Sequence, residues 1–186
     1  SSELSEARIP VRDRAFMYGD GVFEALRTHD GKPDALDRHL ARLELSAARL
    51  GIVMPLARAE LATEVERAIA LVEGPERYVR VIITRGDSPD ALPPGGAGRA
   101  RRVILVRTLV VHADAPDRGI TMRTEPFSPS PLWSGAKPTA YLANLLAIGK
   151  AREAGADDAM LIGPSGELLE GATSSLFLVK RGDRLT

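Results

Sequence analysis

Three side chains in this sequence have types and settings suited to organic chemistry on a small molecule. Lys137 lies in Ala136-Lys137-Pro138-Thr139-Ala140-Tyr141-Leu142, just ahead of a helical stretch. A lysine amine condenses with an aldehyde, and once released it can carry a proton to or from carbon. Glu170 lies in Leu168-Leu169-Glu170-Gly171-Ala172-Thr173-Ser174-Ser175-Leu176-Phe177, between two strand-like runs. A carboxylate against a ring nitrogen favours the protonated ring, which then draws electrons from an attached carbanion. The hydroxyls of Thr173, Ser174 and Ser175 could fix that carboxylate or touch a phosphate. Arg42 shares a helix face with His39 and Ser46, at i−3 and i+4, and its planar guanidinium suits two parallel hydrogen bonds to phosphate. Together the three point to an enzyme built around a phosphorylated, aldehyde-bearing ring. Taken singly, each has a plainer reading: a surface lysine at a helix start, a solvated hairpin glutamate, and a solvated helix face laced with pairs such as Asp34/Arg38.

Two further segments offer pocket residues. Tyr18-Gly19-Asp20-Gly21-Val22-Phe23-Glu24 is a glycine-rich turn feeding a strand, and it fits neither a phosphate loop nor a dinucleotide fingerprint. Its glycines let the backbone bend tightly, and Tyr18 and Phe23 could wall a substrate pocket. In Tyr78-Val79-Arg80 the period of a strand puts Tyr78 and Arg80 on one side, where both could face a carboxylate. One face of an exposed strand explains the same pattern.

These groups need a scaffold, and 186 residues suffice for one large domain or two small ones. Basic and acidic side chains balance at 25 each, so net charge gives no reason to expect nucleic acid or an acidic membrane as partner. With no cysteine, disulfides, zinc thiolates and a thiol nucleophile are excluded. His39 lacks the carboxylate–histidine spacing of a metal ligand, and no metal is expected. The longest apolar runs are too short to span a bilayer, and no leader-like segment opens the sequence, so a cytoplasmic protein is expected. Residues 176–186 run into a turn at Arg181-Gly182-Asp183 and a strand that stops at Leu185-Thr186, which leads to the expectation of a further C-terminal portion.

Periodicity places the elements. Residues 22–28 read as a strand, with turn residues at His29-Asp30-Gly31-Lys32. Asp34 is the expected N-cap of a helix over 35–50, with Leu36, Leu40, Leu43, Ala47 and Leu50 at helical spacing and Gly51 as its C-cap. Pro55 is expected to open a second helix running to 71, ended by Gly74 and Pro75. Residues 78–84 and 103–111 are β-branched and predicted to be adjacent strands, with 87–99 a loop between them. A strand is expected at 120–124, an irregular proline-rich stretch at 125–139, and a helix over 140–154. Residues 158–162 and 167–170 form a predicted hairpin, and 175–180 the next strand.

Taken with their order and separations, four segments carry a resemblance. They are Asp13-Arg14 with Tyr18-Gly19-Asp20-Gly21-Val22-Phe23-Glu24; Arg38-His39-Leu40-Ala41-Arg42-Leu43; Lys137 with Tyr141-Leu142 and Asn144; and Glu170 through Phe177. The chain resembles the class IV aminotransferases, the fold-type IV pyridoxal phosphate enzymes, among them branched-chain aminotransferases, D-amino acid aminotransferases and 4-amino-4-deoxychorismate lyases. This resemblance implies an α+β fold with a small N-terminal domain over residues 1–122, an interdomain loop over 123–136, and the first part of a larger barrel-like cofactor domain over 137–186. It implies pyridoxal 5′-phosphate as cofactor, with Lys137 as the catalytic residue and Schiff-base partner, Glu170 on the pyridine nitrogen and Arg42 on the phosphate. Tyr141, Thr173, Ser174 and Ser175 complete the expected cofactor set, although the family often has asparagine where Ser175 stands. The family usually continues beyond the position of Thr186 with a phosphate-contacting Gly-Ile-Thr-like turn. It also implies a homodimer acting on an amino acid or amine and a 2-oxo acid.

Within the family, Tyr78-Val79-Arg80 is similar to the Tyr-x-Arg of branched-chain enzymes, whose tyrosine helps hold the α-carboxylate, and Phe23 fits an apolar side-chain pocket. The D-amino acid enzymes place an Arg-x-His trap where this chain has Pro89-Asp90-Ala91-Leu92, and Asp90 would repel a carboxylate. The lyases also tend to carry an arginine there, although Arg80 could serve them as a basic strand residue. A transaminase with branched-chain-like preference is therefore expected; the alternatives are the lyase, the D-amino acid enzyme and a non-catalytic vitamer-binding protein.

Overall fold

The structure is a computed structural model, and it describes residues 5–87, 99–110, 118–180 and 184–185. The chain is an α+β protein that divides into two compact units, one comprising Ser1–His112 with Gly135–Ala140 and the other Ala113–Ser134 with Tyr141–Thr186.

The first unit is built on a four-stranded antiparallel sheet of order β2-β1-β3-β4: β1 Gly21–His29, β2 Lys32–Pro33, β3 Arg77–Thr84 and β4 Arg101–Thr108. Three helices accompany it: α1 Arg14–Tyr18, α2 Leu36–Arg49 and α3 Arg58–Ala70. Alternation along the strands sends Val22 and Leu26 of β1, with Val79, Val81 and Ile83 of β3, into one core with Leu36, Leu40, Leu43 and Ala47 of α2 and Leu61, Val65 and Ile69 of α3. Each fully buried Leu, Ile or Val there contributes about 1.5–3 kcal/mol relative to exposure. The opposite face of the sheet carries Phe23, Ala25 and Arg27 beside Ile82, Arg80 and Tyr78. Tyr78 and Arg80 thus share a side, as the strand period requires.

Helix α2 starts at Leu36 rather than being capped by Asp34. Ala35 stands at its N-cap with left-handed backbone and no side-chain cap, while the Asp34 amide donates to the Arg27 carbonyl and belongs to the preceding turn. At its other end the amides of Gly51 and Ile52 close onto the carbonyls of Ala48 and Ala47 at 3.0 and 2.8 Å, and the buried Ile52 side chain seals the turn. Helix α3 begins three residues after Pro55. The Glu60 carboxylate accepts from the Ala57 amide at 3.0 Å and so fixes the first turn there.

The second unit holds a three-stranded sheet of order β5-β6-β7, with β5 Met122–Pro126, β6 Asp158–Ile162 and β7 Leu168–Gly171. β5 and β6 are parallel and β6 and β7 antiparallel. Helix α4, Leu142–Glu153, buries Ala147 and Ala151 against Ala159, Leu161 and Ala172. β5 has the length of the predicted strand but starts and ends two residues later. It closes with Pro126, opposite Ile162, and the ladder bond there is made by the Phe127 amide, which donates to the Ile162 carbonyl at 2.8 Å. The strand expected over 175–180 reduces to β8 Val179–Lys180, paired with β9 Arg184–Leu185; residues 175–178 are not strand. The turn predicted at 181–183 and the loop containing Asp90 lie outside the described residues. Among the described residues no helix is long and apolar enough to cross a membrane, and no cluster of His, Asp or Glu could hold a metal ion.

Candidate active site

In the first unit the lysine-bearing segment is laid along the start of β1. The Lys137 carbonyl accepts from the Phe23 amide at 3.0 Å, the Thr139 amide donates to the Gly21 carbonyl at 2.8 Å, and Val22 and Pro138 form the bridge between them. Pro138, lacking an N–H, stands opposite Val22 in the pair of this short ladder that exchanges no hydrogen bond. The Lys137 amide donates to Oγ of buried Ser46 on α2, 3.2 Å away. Both main-chain groups of Lys137 are therefore tied to regular elements, which sets where its side chain can reach. Its Nζ stands 4.8 Å from the centroid of the Phe23 ring, and the Arg80 guanidinium carbon lies 4.0 Å from the same ring. Cations over an aromatic face are held by its quadrupole, by about 0.5–1 kcal/mol at exposed sites. Nε of Arg80 is buried without a hydrogen-bond acceptor, an arrangement that suits an anionic ligand beside Phe23.

The glycines of the Tyr18–Gly21 motif permit this close approach. Gly19 has φ +68°, and a Cβ there would stand 2.9 Å from Cβ and 3.0 Å from Cα of Ala140; a Cβ on Gly21 would meet the Ile83 carbonyl at 2.9 Å. Thr139 Oγ1 donates to the Gly19 carbonyl at 2.7 Å. The rest of the motif is structural anchoring. Buried Asp13 caps α1 through the Ala15 amide and accepts from Thr84 and Arg101. Asp20 accepts from Arg14 at 2.7 Å and Arg85 at 2.8 Å. Burial pushes the Asp20 carboxyl up, but the hydrogen bonds from Arg85 and Arg14 outweigh it and hold the group below its usual range. We expect Gly19→Ala to lower stability by about 1–3 kcal/mol through left-handed strain alone, with an added penalty from the Ala140 backbone. A melting temperature equal to that of the unmodified protein would contradict this account.

Arg42 projects from α2 towards Glu24, the β1 residue that follows Phe23 and therefore points to the helix-bearing face. Its Nε and Nη2 donate to the two carboxylate oxygens at 2.5 and 2.6 Å, and His39 Nδ1 lies 2.8 Å from Oε2. An ionised carboxylate only accepts, so Nδ1 carries the proton in this contact. Glu24 is fully buried, and burial pushes its carboxyl up, yet the hydrogen bonds from Arg42 and His39 prevail and hold it below the usual range. His39, Arg42 and Ser46 thus form one stripe of α2 dedicated to this region, beside the apolar stripe that builds the core. Tyr78 stands next to Arg80 on the open face with the Arg107 guanidinium 4.7 Å from its ring. Tyr18 is set apart: it is 45% exposed, and the Arg14 guanidinium covers its ring at 5.1 Å.

In the second unit Glu170 is an exposed residue of β7, followed by a tight turn through Gly171, Ala172, Thr173 and Ser174. The Ala172 carbonyl accepts from the Tyr141 hydroxyl at 2.6 Å and from Asn144 Nδ2 at 2.9 Å, while its amide donates to the Ala159 carbonyl at 2.8 Å. Tyr141 and buried Asn144, at the start of α4, thereby fix the segment that follows Glu170. Thr173, Ser174 and Ser175 are exposed, and Thr173 makes a long 3.4 Å contact with Asp158. Glu24, Ser46 and Asn144 had no assigned role in the sequence reading. The signal for Glu24 was its charge at a core position of the strand alternation.

The chain has counterparts among known proteins. Residues 21–186 match the amino-transferase class IV model, and the chain belongs to that family. A Methanocaldococcus jannaschii protein, provisionally named a branched-chain-amino-acid aminotransferase, is 32% identical over 95% of this chain and 62% of its own length. The bifunctional aminodeoxychorismate lyase / D-amino acid transaminase of Mycobacterium tuberculosis is 32% identical over 92% of this chain and 61% of its own. The fold IV-transaminase CpuTA1 of Curtobacterium pusillum superposes with a TM-score of 0.82 at 29% identity, over 97% of this chain and 64% of that one. The chain thus spans about 62% of the length of the first of these relatives.

Proposed function

We propose that this chain carries the reactive lysine and cofactor-binding residues of a pyridoxal 5′-phosphate-dependent aminotransferase. The reaction moves an amino group between an amino acid or amine and a 2-oxo acid, with a branched-chain-like preference. The observation that carries this reading is Lys137, whose amide and carbonyl are both anchored and whose amine lies against Phe23.

The residues present fit the cofactor. Arg42 offers a phosphate a guanidinium whose plane Glu24 fixes, and Lys137 offers the amine that bonds an aldehyde. Glu170 is a carboxylate for the ring nitrogen, with Thr173, Ser174 and Ser175 adjoining and Tyr141 bracing the segment. When bound, the cofactor supplies the aldehyde and the electron-withdrawing ring. The protein's part in the chemistry is a proton transfer: Nζ of Lys137 takes the proton from substrate Cα and later returns one. Buried Phe23 walls an apolar side-chain pocket, and Arg80 with Tyr78 receives the α-carboxylate; Tyr18, exposed on α1, contributes at most to the pocket rim. The same reading makes the active form a homodimer, which would cover apolar surface such as Val11 and Phe16, 72% and 70% exposed.

A panel of L- and D-amino acids and amines, each mixed with the cofactor-loaded protein in the absence of an acceptor, tests the assignment by absorbance. Branched-chain L-amino acids are expected to convert the cofactor fastest, and no conversion by any donor would overturn it. A second reading, the lyase, is favoured by the bifunctional mycobacterial relative. Pyruvate release from aminodeoxychorismate without any 2-oxo acid would select it.

A further inference from the structure

We propose that Glu24 is a positioning residue for phosphate recognition, holding the Arg42 guanidinium at a fixed angle and locking His39 beside it. The inference rests on the phosphate role proposed for Arg42. A fully buried carboxylate among Val22, Leu26 and the apolar stripe of α2 is expensive to keep unless paired, so its presence calls for a reason. The geometry supplies one. Arg42 is a long side chain on a helix surface, with 56% of the side chain exposed, and fixing such a side chain costs rotamer entropy. Two parallel hydrogen bonds to Glu24 spend Nε and one Nη2 hydrogen and define the plane of the fork. The orientation of the guanidinium is thereby set from the Glu24 side. His39, one turn earlier, donates to the same carboxylate and keeps it from rotating.

Electrostatically this arrangement is a poor way to attract phosphate, because Glu24 offsets the arginine's charge. What it provides is pre-organisation at the expense of attraction. That opposition of sign makes the proposal separable from a bystander role. Pyridoxal 5′-phosphate and pyridoxal share a ring and an aldehyde and differ in the phosphate, so the ratio of their dissociation constants reads the phosphate grip alone.

The experiment titrates the purified protein with both vitamers, following cofactor absorbance, and records melting temperatures in parallel. Glu24→Gln is expected to reduce the preference for the phosphorylated vitamer about tenfold, even though it removes a negative charge near the phosphate. In an Arg42→Gln background the same change should reduce it no further. Glu24→Asp, which keeps the charge and withdraws it by one methylene, should shift the preference in the same direction and guards against misfolding of the glutamine variant. A lowered melting temperature with an unchanged or increased preference in these variants would overturn the proposal. Equal binding of the two vitamers by the unmodified protein would overturn it through the role of Arg42. Failure to bind either vitamer would instead remove the functional assignment on which it stands.

Discussion

Replacing Lys137 with alanine is expected to lower transamination by roughly 10³-fold or more, while leaving the fold in place. The two halves of this expectation come from different atoms. Two contacts that anchor residue 137 are main-chain ones, to Ser46 Oγ and to the Phe23 amide, and alanine keeps both. Among what it loses is the amine's position over the Phe23 ring, 4.8 Å from the centroid, a contact worth about 0.5–1 kcal/mol. The backbone of the segment should therefore stay anchored to β1 and α2. The chemical loss is larger because a positioned amine serves both as nucleophile and as acid–base group, and proton transfer by such a group alone supplies about 10²–10⁴-fold. The measurement pairs turnover with the visible absorbance of the cofactor held by the lysine. A variant that retains that absorbance and turns over at the original rate would exclude Lys137 as the reactive residue.

How much of this was legible in the sequence depends on the range of the interactions. Helix and strand positions followed from local periodicity: the apolar stripe of α2, the alternation of β1 and β3, and the hairpin of β6 and β7 all express patterns confined to a dozen residues. The placement of Tyr78 and Arg80 on one face follows from the same period. Helix starts were misplaced where capping was done by unexpected groups. Glu60 fixes the start of α3 from inside the helix, and Asp34 was drawn into a turn instead of capping α2. The strand predicted over 175–180 failed because its apolar run does not find a partner until Val179.

Long-range contacts were not legible at all. Thr139 bonds Gly19 across 120 residues, and the Lys137 amide bonds Ser46 across 91; no local pattern encodes either. The glycines at 19 and 21 were legible as bends, but the reason for them, close approach of Ala140 and its neighbours, appears only in three dimensions. Glu24 is an intermediate case. A glutamate in phase with Val22 and Leu26 contradicts the apolar pattern of its strand face, and such a contradiction marks a residue retained for something other than packing.

Glu170 is the second position where a large effect is expected. Glu170→Ala should slow removal of the substrate α-proton by roughly 10²-fold, on the scale of losing one pre-organised electrostatic partner. The residue is exposed on β7, and the turn after it is held by contacts it does not make: the Ala172 carbonyl is bound by Tyr141 and Asn144, and the Ala172 amide binds Ala159. Removing the carboxylate should leave that turn standing, with stability changed by no more than about 0.5 kcal/mol. A rate loss without a stability loss would then belong to the chemistry. Glu170→Gln sharpens the test, since it preserves size and hydrogen-bonding reach but cannot carry the negative charge that stabilises a protonated ring nitrogen. If charge is the operative property, the glutamine variant should be nearly as slow as the alanine one. Single turnovers with α-deuterated and α-protiated amino acid should show a kinetic isotope effect at least as large as in the unmodified protein, because proton removal becomes more rate-limiting. Glutamine supporting the original rate would leave Glu170 a hairpin residue and move the search for the ring-nitrogen partner elsewhere.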